Sequence, residues 1–367
     1  MKVTLGKYIK EYTERNRDCS CGEIYSVTNS KGFVPSIDYF SKEVYSKDIS
    51  NYKIVLRGML AYNPSRINVG SVASQNLAER VVVSPLYVVV EPNKKYLETE
   101  YLRYFLCSSY GNQQIKFLTT GSVRDSLKYT SLEKIEIELP SIEKQNFVVK
   151  VLDKLNKLIA LHKEQLKKLD ELIKSLFIEM FGDPVLNEKN LLVSHLERIV
   201  VLKAGKNLTS KDIHEKSEKF SYPCYGGNGI RGYTGKYSHE GNYSLIGRQG
   251  ALCGNVQYAT EKFYATEHAV IVAPTIELDS LWLYYCLVYL KLNQFQTGAA
   301  QPGLNIDILN KIKIPVPPLN LQNQFAERVT QIDKSKFVVL KSLKINLELL
   351  LKASINERLI SEVKNNE

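Results

Sequence analysis

Two stretches of this chain carry apolar residues at steps of three and four, uninterrupted by proline. The first holds Val148, Val151, Leu152, Leu155, Leu158, Ile159, Leu166, Leu169, Leu172, Ile173 and Leu176, and the second Phe325, Val329, Ile332, Val339, Leu343, Leu347, Leu350 and Leu351. On a helix such steps align side chains in one stripe, the seam of a coiled coil. Globular helices average about three turns, so stretches of this length predict two rods that bury their seams on each other. The first is bounded by Ser141 as N-cap after Pro140, and by Phe181-Gly182-Asp183-Pro184, a Gly and Pro pair just past the last apolar residue. It is assigned to 140–182 and the second to 317–367. At about 1.5 Å per residue, about 40 residues make a rod near 60 Å.

Ahead of each rod the pattern changes to short apolar runs. In 1–139 they read as strands at 54–56, 81–83 and 86–90, then a helix at 96–108. In 183–316 they read as strands at 244–246 and 269–273, then a helix at 279–294. Both segments predict mixed α/β (α+β) domains.

The end of one domain repeats the end of the other. Residues 118–148 align without a gap on 295–325, at an offset of 177. Thr120-Gly121 falls on Thr297-Gly298, Leu127 on Leu304, and Leu132 with Lys134-Ile135 on Leu309 with Lys311-Ile312. Ile137, Pro140 and Gln145 fall on Ile314, Pro317 and Gln322. Single apolar matches arise by chance; Thr-Gly, Lys-Ile, Pro and Gln in one frame do not. The chain is a tandem repeat of domain and rod, with pseudo-twofold character.

Composition narrows the partner. The net charge is +10 and the pI near 9.0. A basic surplus suits a polyanion, because Lys and Arg displace counterions condensed on phosphate. Lys outnumbers Arg 37 to 12, which a Lys-rich proteome would also produce. Six cysteines form no C-x-x-C and no zinc spacing. Cys107 and Cys286 fall in apolar helical stretches, as small hydrophobes. A reduced, cytoplasmic protein is the expectation. The N-terminal residues are polar, and the longest apolar run, 281–290, is too short for a bilayer.

The sequence carries no recognisable catalytic constellation. Asn63-Pro64-Ser65-Arg66 lacks the second Pro of the Asn/Asp-Pro-Pro-aromatic motif of adenine methyltransferases, and there is no P-loop. Gly227, Gly229 and Gly232 form a G-x-G-x-x-G, but Tyr233-Thr-Gly-Lys-Tyr follows, which reads as a turn and not a helix. The histidines are His162, His195, His214, His239 and His268. His239 beside Glu240 and His268 beside Glu267 invite an acid–base reading. Neighbours on a strand point to opposite faces, so no dyad is expected. No metal, cofactor or nucleophile is assigned.

What remains suits DNA. The second domain carries Tyr225-Gly-Gly-Asn228-Gly-Ile-Arg231-Gly-Tyr233-Thr-Gly-Lys236-Tyr237, then Leu245-Ile-Gly-Arg248-Gln249-Gly250. Glycines let a backbone approach a ligand. Arg, Asn and Gln pair with base edges, and Lys binds phosphate. The candidate contacts are Asn228, Arg231, Tyr233, Lys236, Tyr237, Arg248 and Gln249. The first domain offers a looser counterpart in Arg57, Tyr62, Asn63 and Arg66, with Lys31 and Arg124 as further candidates. The plain alternative is a Gly-rich hairpin with incidental surface charge.

The paired closings from Leu132 to Gln145 and from Leu309 to Gln322, the rods after them, and the Gly-rich string together resemble the specificity subunits of type I restriction–modification systems. The resemblance covers essentially the whole chain. It implies that each domain is a target-recognition domain reading one half of a split asymmetric site in double-stranded DNA. It also implies that the helices pair antiparallel as a spacer and dock two methyltransferase subunits, joined by restriction (translocase–nuclease) subunits. The chain would direct adenine methylation and cleavage without being an enzyme. The first domain lacks the Tyr-Gly-Gly-Asn string, which leaves its half-site residues open. Two other classes stay in view. A self-contained DNA-modifying enzyme would bind S-adenosylmethionine alone. A coiled-coil protein-binding adaptor would show no steeply salt-dependent DNA binding.

Overall fold

The computed structural model describes residues 2–39, 48–119, 126–250, 252–297 and 303–355. The chain forms two compact units, Met1–Lys163 with Lys341–Glu367, and Glu164–Leu340.

In the first unit the elements run β1 (Lys2–Thr4), β2 (Ile9–Glu11), β3 (Ile24–Thr28), β4 (Gly32–Pro35), the single turn α1 (Ser36–Tyr39), β5 (Lys53–Leu56), β6 (Leu60–Tyr62), β7 (Val72–Ser74), β8 (Arg80–Val83), β9 (Val88–Pro92), α2 (Thr99–Cys107), α3 (Ser109–Thr119), α4 (Tyr129–Leu132) and β10 (Glu136–Glu138). The long helix α5 (Ile142–Phe181) starts here. Strands pair as β1-β10, β2-β9-β6-β7 and β4-β3-β8-β5.

The second unit contains β11 (Val193–His195), α6 (Leu196–Ile199), β12 (Val200–Ala204), β13 (Tyr222–Gly226), β14 (Gly229–Thr234), β15 (His239–Glu240), β16 (Tyr243–Gly247), β17 (Val256–Ala259), β18 (Lys262–Ala265), β19 (Ala269–Pro274), α7 (Ser280–Tyr289), α8 (Ile306–Asn310), β20 (Lys313–Pro315) and much of α9 (Leu319–Ile355). Its sheets are β11-β20, β12-β19-β16-β17 and β14-β13-β18-β15. Strand for strand this is the first unit again, including one parallel pairing in each, β3 with β8 and β13 with β18. The duplication visible only at the domain ends therefore extends through both folds.

Period-two burial explains the layers. On β9, Val88 and Val90 face the helices, beside Leu102 and Phe105, while Val89 faces the other sheet beside Val27 and Phe33. On β19, Val270 and Val272 meet Trp282 and Phe325, while Ile271 meets Tyr225 and Phe263. Strands covered on both faces are continuous apolar runs, which is why 81–83 and 269–273 were legible.

The helices run antiparallel within each unit. In the second, Phe177 packs on Phe325 at 5.5 Å and, one direction along each helix, Asp170 bonds Lys336 at 2.7 Å. In the first, Leu350 packs on the cluster of Val148 and Leu152, and Asn346 meets His162 at 3.4 Å. The helices are more than rods, however. Ile173, Leu176, Phe177 and Phe181 belong to the second unit's core. The compact units accordingly divide both helices, at 163/164 and 340/341, where the sequence placed boundaries at the helix ends. Ser141 caps α5 through Lys144 N–H at 3.4 Å, and Gly182 ends it at φ +74°. The helix expected over 96–108 is α2, which starts at Thr99 and ends at Cys107, with α3 following after Ser108; the one expected over 279–294 ends at Tyr289. Cys286 is buried, but Cys107, the last residue of α2, is exposed.

The repeated glutamine fastens each helix to its domain. Gln145 is fully buried; its Oε1 accepts Glu98 N–H at 2.8 Å, and its Nε2 donates to Tyr96 and Pro140 carbonyls at 2.8 and 2.9 Å. Gln322 is 1% exposed; its Oε1 accepts Asp279 N–H at 2.9 Å and its Nε2 donates to Pro317 at 2.8 Å.

Candidate nucleic-acid interface

The Gly-rich string of the second unit is the β13–β14 hairpin. Gly226 pairs with Gly229, leaving Gly227 and Asn228 as the turn, and Gly229 takes φ +102°. The motif is thus followed by a strand, not by the helix a dinucleotide site needs. A side chain at Gly247 would put its Cβ 1.8 Å from the Gly227 carbonyl. The turn therefore rests directly on the end of β16, beside the loop that follows. Arg248 N–H bonds the His268 carbonyl at 3.2 Å, and Leu304 N–H bonds the Arg248 carbonyl at 2.9 Å. Asn255 Nδ2 donates to Asn228 Oδ1 at 2.6 Å, and Gln249 Oε1 lies 2.9 Å from His268 Nδ1. Arg231 is exposed and lies along Gly226, where an added Cβ would fall 2.4 Å from its Cδ. Asn228, Arg231, Arg248 and Gln249 thus share one end of the unit, with His268 and Asn255, which the sequence reading missed.

Tyr233, Lys236 and Tyr237 lie elsewhere. β14 runs away from the turn, and its Thr234 pairs with Tyr222. The five steps from Gly229 to Thr234, at about 3.3 Å each, separate the ends by about 16 Å. There Tyr237 packs on Tyr222 at 5.3 Å with Lys262 4.8 Å over its ring, and Lys236 sits 5.8 Å from Tyr264. Lys216 sits 5.5 Å from Tyr233. Lys262 also faces Glu240 at 3.9 Å. This is a lysine–aromatic patch, apart from the amide and arginine patch. Tyr222 and Lys262 carry no signal in the sequence beyond their residue types.

The first unit repeats the first arrangement. Its β3–β4 turn, Asn29 to Lys31, stands where Gly227-Asn228 stands in the second. Ser71 Oγ donates to Val27 at 2.6 Å, and a Cβ on Gly70 would lie 3.7 Å from Asn29 Cβ, so the turn abuts the segment after β6. That segment carries half-buried Asn63 and exposed Arg66. Lys31, Asn63 and Arg66 therefore form the counterpart set, and the missing string is replaced by Asn29-Ser30-Lys31. Two candidates lie away from that set. Tyr62 is fully buried, its hydroxyl donating to the Leu127 carbonyl at 3.1 Å, and burial drives its phenol well above the ordinary range. It is core. Arg57 is exposed but bonds Glu79 through its backbone, at the end of β5 level with Arg80 and opposite the β3–β4 turn. Arg124 lies outside the described residues.

One further expectation fails. Glu267 and His268 occupy a turn and not a strand, and His268 Nε2 lies 3.1 Å from Glu267 Oε1. His239 and Glu240 do lie on β15; burial, then Lys206, lowers the His239 pKa, and its ring stacks on Phe263. Burial raises the Cys224 thiol, against a smaller opposing pull from Arg231. Among the described residues no group of three or more His, Cys, Asp or Glu could hold a metal ion, and no helix is long and apolar enough to cross a membrane.

Each unit thus presents amide and cationic side chains on a glycine- or turn-rich edge, chemistry that suits the edge of a base pair. The family model of the type I restriction modification DNA specificity domain matches twice, over 25–171 and 189–349. The chain belongs to this family, the specificity subunits of type I restriction–modification systems. It is 45% identical over 141 residues to the EcoprrI specificity subunit of Escherichia coli, covering 38% of this chain and 35% of that protein. It is 24% identical over 366 residues to the putative MjaX specificity subunit of Methanocaldococcus jannaschii, covering 90% and 86%. In fold it is similar to the S subunit of the type I system of M. genitalium, at TM-score 0.64 and 15% identity over 96% of this chain and 95% of that one. It is also similar to a chain from a study of complex assembly and conformational transition of the type I R-M system, at TM-score 0.58 and 15% identity over 96% of each.

Proposed function

We propose that each unit reads one half of a split, asymmetric duplex site, and that the chain directs adenine methylation and cleavage by partner subunits without catalysing either. The observation that carries this reading is the arrangement built twice: a hairpin turn abutting the segment after the next sheet's central strand. Asn228, Arg231, Arg248 and Gln249 supply it in one unit, and Lys31, Asn63 and Arg66 in the other. Arg and Gln at such an edge match the donor and acceptor pattern of the major groove. The lysine–aromatic patch of the second unit supplies phosphate contacts, which position without specifying. The partners are two methyltransferase subunits and restriction subunits, and the setting is the cytoplasm.

The test is methylome sequencing of host cells with and without the gene, alongside assays of the purified chain. A split motif that vanishes on deletion, with no methyl transfer and no S-adenosylmethionine binding by the chain alone, is the expected result. Methyl transfer by the isolated chain would overturn it.

A further inference from the structure

His268 sits between two acceptors. Its Nε2 lies 3.1 Å from Glu267 Oε1, and its Nδ1 lies 2.9 Å from Gln249 Oε1. A carboxamide oxygen can only accept, so Nδ1 is the donor in the contact with Gln249. The His268 carbonyl is anchored as well, by Arg248 N–H at 3.2 Å, and it lies 3.2 Å from where a Gly227 Cβ would stand. The ring is thus fixed against both the loop after β16 and the hairpin turn. The charged neighbours in sequence and backbone contact are Glu267 on its own turn and Arg248 on the loop; Arg231 on β14 and Glu267 pull on Cys224 in opposite directions.

We infer that Glu267 and His268 are positioning residues for base reading: they clamp the oxygen of the exposed Gln249 carboxamide and leave its NH₂ as the free, oriented end. A free glutamine side chain turns its amide to suit either a donor or an acceptor on a base. A clamped one has a fixed polarity. With Oε1 bonded to His268, the outward NH₂ meets an acceptor on a base edge, purine N7, guanine O6 or thymine O4. The chain of contacts converts an adaptable residue into a discriminating one. It rests on the reading of Gln249 as a DNA contact.

The experiment uses the chain assembled with its methyltransferase partner, and scores the methylated motif together with binding to duplexes varied at each position of the second half-site. Gln249→Ala is expected to relax one position, by on the order of tenfold in discrimination. Glu267→Gln, which leaves Gln249 in place, is expected to relax the same position, with unchanged affinity for unrelated DNA. Gln249→Glu removes the NH₂ and is expected to move the preference at that position toward cytosine, whose N4 donates. A merely structural role for Glu267 would weaken the whole half-site evenly, and that outcome overturns the clamp. If Gln249→Ala relaxes one position and Glu267→Gln does not, the clamp falls while Gln249 remains a contact. If Gln249→Ala leaves the motif unchanged, Gln249 reads no base and the clamp falls with that assignment.

Discussion

Gln322 holds Asp279: its buried side-chain oxygen accepts the Asp279 backbone N–H at 2.9 Å, one residue before α7 begins. Asp279 in turn caps α7 by accepting Trp282 N–H at 2.7 Å. One side chain thus joins the start of α9 to the start of α7. In the other unit Gln145 does the same for Glu98 and α2. The repeated glutamine, legible as a motif, is a fastening and not a contact site.

Replacing Gln145 by Ala strands one N–H and two carbonyls, all part-buried, and leaves a cavity. Each unsatisfied buried group costs about 1–3 kcal/mol, so a loss of roughly 3–5 kcal/mol in the first unit's stability is expected. Gln322→Ala is expected to cost the second unit slightly less, with two bonds lost. Urea denaturation monitored in each unit checks this. The motif methylated by any folded fraction should not change, and a changed motif would make the glutamine part of the recognition surface.

Arg248 is half-buried, its backbone pinned on both sides, so its guanidinium leaves from a rigid base. Arg248→Ala is expected to weaken modification of one half-site only, by about 1–3 kcal/mol. Methylome sequencing with a folded variant decides. An intact motif and affinity would return Arg248 to the surface charge.

How far the sequence reached depends on which physical signal each feature leaves. Rods and doubly covered strands leave long apolar patterns, and Val81 to Val83 or Leu152 to Leu176 could be read directly. Recognition edges leave residue types but no geometry. Tyr62 looks the same in sequence whether it points to DNA or into the core; only the pairing of β6 with β9 and β7 sends it inward. The β3–β4 turn leaves a weak signal because Asn29-Ser30-Lys31 does not resemble the glycine-rich Gly227-Asn228 turn, although the fold makes them equivalent. The rule that neighbours on a strand face opposite ways does not apply to Glu267 and His268, which lie in a turn. Their link to Gln249, across the break between two strands, has no sequence spacing to announce it.

Cys286 offers a pH test of the second core. It is fully buried, and burial pushes its thiol to about 12. In the unfolded chain a cysteine titrates near 8.5. Between those values the unfolded state has lost a proton that the native state keeps, so native stability falls as pH rises. The contribution is absent below about pH 8 and grows by about 1.4 kcal/mol per pH unit above 8.5. Cys286→Ala should flatten the decline in stability between pH 8.5 and 10, measured by urea titration at each pH. An equally steep decline in the variant would show that other groups carry it.

Lys236 and Lys262 test the division of labour on the second unit. Both approach aromatic rings, Lys236 at 5.8 Å from Tyr264 and Lys262 at 4.8 Å from Tyr237. Those rings hold the ammonium groups on the surface at the end of β14 away from Asn228. An ammonium is a point charge that binds phosphate without reading bases. Each phosphate neutralised adds about 0.9 to the slope of log affinity against log salt. Replacing both lysines by Gln is therefore expected to lower the slope by about 2, or by nearer 1 if Glu240, 3.9 Å from Lys262, already occupies that charge. Cognate and unrelated duplexes should lose affinity alike, and the methylated motif should stay the same. Glu240→Gln frees Lys262, and should raise affinity on both duplexes at low salt. Binding isotherms on the two duplexes at several salt concentrations read all of these. An unchanged slope would leave the lysine–aromatic patch outside the DNA footprint, and a changed motif would make it a reader of bases.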